Sequence, residues 1–376
     1  MKRANPFPVI GYHGPELFCD REKETERLIK NLQGGINTTL ISIRRMGKSA
    51  LIQRVFEDIS KNSDAFCLYI DLYPTLSIKD LTRQLATSAL KQLPKKRSAG
   101  KKFLEMIKGL RPVITYDPLT AMPEVRFEYS SASDYEYTLT SILGFLEEQD
   151  KPVFLAFDEF QMVASYEEKN TEALLRSQIQ SLKNINFIFS GSNKHMMAEI
   201  FSNTKRPFFA STHIVTLSPI PKDKYSAFII KKFTDNGRQI SEEAVDFVLE
   251  WTRCHTYYTQ SICNALFGTG EKSLDINKTR AVCGRILEER EKSFLLYRNL
   301  LSGNQWKALT AVAKEQRIYK PQAGELIRKY SLGSPASSKR AFSSLLEKEM
   351  IYEEIDAIGS YFSVYDLFLS RWLEKQ

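Results

Sequence analysis

The sequence predicts an α/β protein built on a parallel sheet with helices on both faces, followed by a helical section and a small helix-and-strand module. Three observations predict it. Short apolar segments alternate with helical periodicity from about residue 20 to 220, the pattern of a parallel sheet covered by helices. A glycine–lysine–serine turn, Gly47-Lys48-Ser49, falls between one such strand and the next helix. After Pro219 and Pro221 the strands stop and helical spacing takes over.

In order, "LFCDREKETERLIKNLQGG" reads as a helix with Asp20 as N-cap, Glu22 and Glu24 in the first turn and Leu28, Ile29 and Leu32 on one face. Gly34-Gly35 stops it. "NTTLISI" is a short buried strand rich in β-branched residues, and "KSALIQRVFEDIS" is a helix through Leu51, Val55 and Ile59. "AFCLYIDLY" is a strand and "SIKDLTRQLATSALKQL" a helix. The basic stretch "PKKRSAGKK", Pro94 to Lys102, reads as a loop or helix start, and "YDPLTAMPEVRFEYSSAS" as irregular chain with a hairpin as one reading. The helix "SDYEYTLTSILGFLEEQD" leads to the strand "PVFLAFDEF". The helix "EALLRSQIQSLKN" precedes two further strands, "INFIFSGS" and "HIVTLSPI". From residue 222 to about 295 the spacing gives four helices, and no internal repeat is present.

The bulk numbers agree with this plan. A chain of 376 residues is too long for one small core and implies two or three domains. Apolar residues at 43% and charged residues at 26% exclude a disordered chain. No apolar run reaches the roughly 18 residues of a membrane span. The start "MKRANPFPVIGYHG" has neither the apolar core nor the cleavage site of an export signal. Five cysteines without C-x-x-C spacing and four histidines suggest no zinc site and a reducing cytoplasm. A net charge of +8 suits an acidic partner such as nucleic acid or nucleotide, and equally a basic soluble protein.

Three pieces carry chemistry. In "ISIRRMGKSAL", Gly47 allows backbone N–H groups to curl round an oxyanion, Lys48 offers an ammonium to phosphates, and the Ser49 hydroxyl can hold Mg²⁺. The helix that follows aims its positive end at the same place. In "VFLAFDEF", Asp158 and Glu159 end a buried strand, where adjacent carboxylates are costly unless they face a metal or a solvent cleft. Asp158 can orient a metal-bound water and Glu159 can accept a proton from an attacking one. "FIFSGSNK" puts Ser190, Gly191, Ser192 and Asn193 at the next strand end, as a phosphate sensor or as ordinary turn residues.

These segments, with "FCDREKETERL", "RRMGKSALI", "LLRSQIQSLKNINFIFSGS" and "CHTYYTQ", resemble the archaeal-type P-loop ATPases of the STAND class, also common in bacteria such as Bacteroides. The resemblance runs over almost the whole chain. It implies an additional-strand P-loop NTPase core over residues 1–220, a helical lid over 221–298 and a winged helix over 299–376. It also implies ATP or ADP with Mg²⁺, and hydrolysis used as a switch. Carried over residue by residue, Arg45, Met46, Gly47, Lys48, Ser49, Ala50, Ser192 and His255 bind nucleotide. Ser49 and Asp158 hold the metal, and Lys48 and Glu159 are catalytic. Ser42 and Ile43 depart from the usual Gly-Pro, and Cys254 from the usual glycine that opens the lid motif. Ser42 is expected to keep a negative φ, since only glycine takes positive φ without cost, and turnover is expected to be slow. Arg44 and Arg45 suit either contacts to phosphate or an adjacent subunit, or bracing of the loop by pairing with acidic residues, and Arg176 and Arg206 are further candidates for a charge-stabilising arginine.

At the C-terminus, "NQWKALTAVAKEQ" presents Trp306, Leu309 and Val312 or Ala313 on one face, and "AGELIRKYSLG" is a second helix. "SPASSKRAFSSLLEKEMI" starts with Ser334 as N-cap and Pro335 at the first position, leaving Ser337, Ser338, Lys339 and Arg340 at the exposed start. "IYEEIDAIGSYFSVYD" is a two-stranded wing around Gly359. Residues 300–376 hold 11 Lys and Arg against 9 Asp and Glu, so DNA and protein partners both stay open, as does a homo-oligomer.

Overall fold

The computed structural model describes residues 5–93, 103–105, 107, 110–116, 123–129 and 135–376. The basic stretch 94–102 lies outside them. The chain falls into two compact units, Ile10–Ile220 and, as the other, residues up to Val9 together with Pro221–Gln376.

The first unit runs α1 (Glu22–Gln33), β1 (Thr38–Ile41), α2 (Lys48–Asn62), β2 (Phe66–Asp71), α3 (Ile78–Gln92), β3 (Leu110–Tyr116), β4 (Pro123–Tyr129), α4 (Tyr135–Glu147), β5 (Val153–Asp158), α5 (Thr171–Gln180), β6 (Ile185–Gly191), α6 (Lys194–Ser202) and β7 (His213–Thr216). Five strands form one sheet in the order β2-β5-β6-β1-β7, every pair parallel. β6 is inserted between β1 and β5, so the strand before the Gly-Lys-Ser turn does not touch the strand that ends in the acid doublet. Parallel pairing brings the ends of β1, β2, β5 and β6 to one rim, the edge where such sheets carry their sites.

Alternation along the strands builds two cores. Leu68, Ile70, Leu155, Phe157, Phe187 and Phe189 face α3, α4 and α5. Cys67, Phe154, Ala156 and Ile188 face Leu28 and Leu32 of α1 and Leu51, Ile52 and Val55 of α2. β5 is buried along its whole length, which is why it reads as an unbroken apolar run.

Some expectations change. Asp20 is not the N-cap of α1: Asp20 and Arg21 both take positive φ, and the helix starts at Glu22. Arg21 instead donates to Glu24 at 2.8 Å and to the Ser218 carbonyl at 2.6 Å. The stretch from Tyr116, read as irregular chain with a hairpin as one reading, contains β4, which pairs antiparallel with β3, the strand that ends at Tyr116.

The second unit contains α7 (Lys222–Asp235), β8 (Gln239–Ile240), α8 (Glu242–Trp251), α9 (Thr256–Gly268), β9 (Ser273–Leu274) and α10 (Ile276–Leu300). It continues through α11 (Gly303–Glu315), α12 (Gly324–Tyr330), α13 (Pro335–Glu347), β10 (Ile351–Ile355), β11 (Ser360–Val364) and α14 (Leu367–Leu373). Strands do not stop entirely at Pro221, since β8 and β9 form a two-residue parallel pair too short to leave a pattern. Ser302 closes a capping box with Gln305 at α11, and Ser334 caps α13. Ser338 is not exposed: it is buried, donating to the Pro321 carbonyl at 2.6 Å. β10 and β11 form the antiparallel wing, turning through Gly359 at φ 145°. Among the described residues, no helix is long and apolar enough to cross a membrane.

The N-terminal segment is built into this second unit. Phe7 is fully buried against Phe233 and Phe267, with ring centroids at 5.2 and 6.3 Å. Asn264 donates to the Phe7 carbonyl at 2.8 Å while Asn5 donates back to the Asn264 carbonyl at 2.9 Å. In the turn between α8 and α9, Cys254 stands at φ 53°, the left-handed conformation that favours glycine.

Phe7→Ala is expected to destabilise the second unit by about 3–5 kcal/mol, the cost of emptying an aromatic site in a packed core, measured by urea unfolding. Cys254→Gly is expected to stabilise it by about 1 kcal/mol, by relieving the left-handed strain net of the added chain entropy; an unchanged or lower midpoint contradicts that assignment.

Candidate functional site

The loop between β1 and α2 closes tightly. Gly47 takes φ 95° and is the N-cap of α2, with no side chain capping the helix. The first-turn N–H groups, at Lys48, Ser49 and Ala50, therefore stay available to an anion. Arg45 also takes positive φ and is exposed, while Met46 is buried beneath the loop. The Lys48 ammonium folds back over the loop, donating to the Ser42 carbonyl at 3.2 Å, the Ser42 hydroxyl at 3.4 Å and the Ile43 carbonyl at 3.4 Å. Burial lowers its pKa, and the charges of Glu159 and Asp158 oppose the shift.

Ser42 stands where a glycine is usual, yet it is not among the residues with positive φ. It is fully buried, its N–H donating to the Gly191 carbonyl at 3.4 Å and its hydroxyl to the Ile43 carbonyl at 3.0 Å. The substitution therefore brings no left-handed strain and adds an oxygen beside Lys48. Cys254, the other departure, does occupy a glycine-like conformation.

Asp158 is almost fully buried at the tip of β5, and both its oxygens are held. Oδ2 accepts from the Ser49 and Tyr69 hydroxyls, each at 2.5 Å. Oδ1 accepts from the Ser190 hydroxyl and from the Glu159 N–H, the latter at 3.0 Å. Glu159 turns out of the strand at φ 53°. Its Oε2 accepts from the Ser192 hydroxyl at 2.6 Å and from the Gln161 amide. Arg44 reaches the same serine, its Nε 3.4 Å from Ser192 Oγ. Gly191 is needed for close approach, because a Cβ there would run into Met197 and Gln161.

The loop, the acid doublet and the β6 end thus come together at one rim. Tyr69, Asp71 and Gln161 were missed by sequence reasoning. Asp71 is paired in register with Asp158, and burial, reinforced by Asp158 and Glu159, raises its pKa. Burial and the neighbouring Asp158 likewise push the Tyr69 phenol up, so it remains a donor. The available signal was period-2 spacing: in "LYIDLY", Tyr69 and Asp71 share the phase that faces α2. Arg206 pairs with Glu172 at 2.5 Å, and Arg176 lies half-buried on α5. His255 belongs to the second unit, as the N-cap of α9, with its ring 4.7 Å from that of Tyr258.

No curated protein sequence matches the chain. Residues 292–375 match a family described as "Probable winged helix domain". Among solved structures, the chain is similar to the Walker-type ATPase PABY2304 of Pyrococcus abyssi, with TM-score 0.66 and 18% identity over 98% of this chain and 99% of that one. It is similar to the Aeropyrum pernix ORC2 protein in its ADPNP–ADP complexes, with TM-score 0.58 and 14% identity over 100% of this chain and 96% of that one. It is also similar to the Aeropyrum pernix ORC1 protein in complex with DNA, with TM-score 0.51 and 12% identity over 96% and 94% of the two chains. At these identities the likeness is one of fold: a parallel-sheet P-loop NTPase core of the additional-strand type, with a winged helix at the C-terminus.

Proposed function

We propose that the chain is a slow, Mg²⁺-dependent ATPase of the STAND class that works as a switch. Residues 10–220 are its catalytic core in place of the expected 1–220, because the segment up to Val9 packs in the second unit; 221–298 are a lid and 299–376 the winged-helix output. The observation that carries this reading is the 2.5 Å hydrogen bond from Ser49 to Asp158, which joins the loop to the acid doublet across the intervening β6.

The residues fit the groups they would hold. Ser49 and Asp158 offer hard oxygen donors, as magnesium requires, and leave the rest of its coordination to phosphate and water. Bound there, magnesium would neutralise charge on the phosphates. The N–H groups from Arg45 to Ala50 would hold phosphate oxygens, with Lys48 exchanging the carbonyls of Ser42 and Ile43 for them. Glu159, held by Ser192 and Gln161, would orient the attacking water and accept its proton. Ser192 lies on the path from Arg44 to Glu159, a reason to read it as the phosphate sensor. The similar structures include a Walker-type ATPase and a protein in ADPNP–ADP complexes, which supports the same reading.

A second reading, a DNA-binding regulator that does not hydrolyse its nucleotide, is favoured by the exposed Lys339 and Arg340 on α13 and by the DNA complex of one neighbour. Against it stand Glu353, Glu354 and Asp356 in the wing, which would repel phosphates.

Lys48→Ala is expected to weaken ADP binding about ten- to a hundredfold, the range for losing a charge-assisted contact, measured by calorimetry. Undiminished affinity would overturn the nucleotide reading. Glu159→Gln is expected to lower kcat about 10²–10⁴-fold while binding persists; an unchanged kcat removes Glu159 from the catalytic role, and nucleotide binding with no turnover in the wild type identifies a non-hydrolysing protein. Duplex DNA binding that falls steeply with salt and disappears in a Lys339→Ala, Arg340→Ala double variant would promote the second reading.

A further inference from the structure

The Tyr69 hydroxyl sits on the same carboxylate oxygen as the Ser49 hydroxyl, each 2.5 Å from Asp158 Oδ2. Tyr69 comes from β2, whose register pairs it with Ala156 and pairs Asp71 with Asp158. Two residues along a strand span about 6.6 Å, close to the reach of a tyrosine side chain. The ring can therefore lie along the sheet, against the core beneath α2, and present its oxygen at the strand tip. Ala156, with only a methyl group, leaves the face beside it uncrowded.

Each donor on Asp158 has a distinct consequence. Ser190 and the Glu159 N–H fix Oδ1 from β6 and from the turn. On Oδ2, Ser49 belongs to the first turn of α2, and its hydroxyl must turn away when it accepts a cation. Tyr69 belongs to the sheet, and its hydroxyl need not. Without Tyr69, the angle of the carboxylate on that side depends on the Ser49 hydroxyl alone. With it, Asp158 stays aimed while Ser49 turns a lone pair toward a cation.

We propose that Tyr69 is a positioning residue for the magnesium route: its hydroxyl holds Asp158 in line with Ser49 and so sets the metal affinity of the nucleotide complex without touching the nucleotide. This rests on the nucleotide reading above. The Tyr69 hydroxyl also meets that of Ser49, so Tyr69→Phe removes its contacts to both metal-route residues while keeping the ring and its packing.

The test uses the full chain and ADP, titrated with Mg²⁺ and, separately, in EDTA. Wild type is expected to bind ADP more tightly as magnesium rises. Tyr69→Phe is expected to bind ADP in EDTA as wild type does, but to need about tenfold more Mg²⁺ for half of the tightening, the effect of one lost hydrogen bond to a charged group. Mn²⁺, which binds such ligands more tightly, is expected to recover part of that loss. Tyr166→Phe serves as the control: its hydroxyl bonds Thr75 at 2.6 Å in the same unit, and its loss is expected to leave the magnesium midpoint alone. An unshifted midpoint in Tyr69→Phe, with wild type responding to magnesium, overturns the inference and leaves the nucleotide reading standing. Equal losses with and without metal overturn it by assigning Tyr69 to the fold. ADP affinity that responds neither to magnesium nor to Lys48→Ala overturns the nucleotide reading and the inference together.

Discussion

A carboxylate at the tip of a strand buried along its whole length is tolerable only if donors meet both its oxygens. Asp158 is in that position, and the rest of the rim is arranged around satisfying it. Its four donors come from α2, β2, β6 and the turn after β5, so one carboxyl group ties four pieces of chain together. A backbone N–H and three hydroxyls do this without a fixed positive charge in direct contact. The doublet is answered by the fixed positive charge of Lys48, whose pKa shift Glu159 and Asp158 oppose.

The topology makes this convergence unavoidable. With β6 between β1 and β5, the Gly-Lys-Ser turn and the acid doublet stand one strand apart, and the intervening strand must end in small side chains. Ser190, Gly191 and Ser192 meet that requirement. Gly191 leaves room for Met197 and Gln161, while the flanking serines donate to Asp158 and Glu159. The same geometry explains why Ser42 is harmless. Its neighbour across the sheet is the Gly191 carbonyl, which its N–H meets, and no left-handed turn is asked of it.

Much of this was legible in the residues. The strands β1, β2, β5, β6 and β7, the loop and the doublet announce themselves through apolar runs ending in polar residues, since parallel strands are buried on both faces and change character only at their tips. What escaped is what depends on pairing between distant segments. Tyr69 is an ordinary strand aromatic until register sets it beside Ala156 and below Asp158. Asp20 has the composition of an N-cap, but Arg21 is drawn to the Ser218 carbonyl, and the helix starts later. α14 is apolar around nearly its whole circumference, so no periodic face marks it.

The burial of Phe7 bears on how the polypeptide is made. Its ring packs against Phe233 and Phe267, which a ribosome adds more than two hundred residues later. At the usual pace of synthesis this leaves an aromatic side chain uncovered for something on the order of ten seconds or longer. The intervening α/β unit can complete its own core in that interval, so the Phe7 segment waits for Phe233 and Phe267 to be made before it is covered.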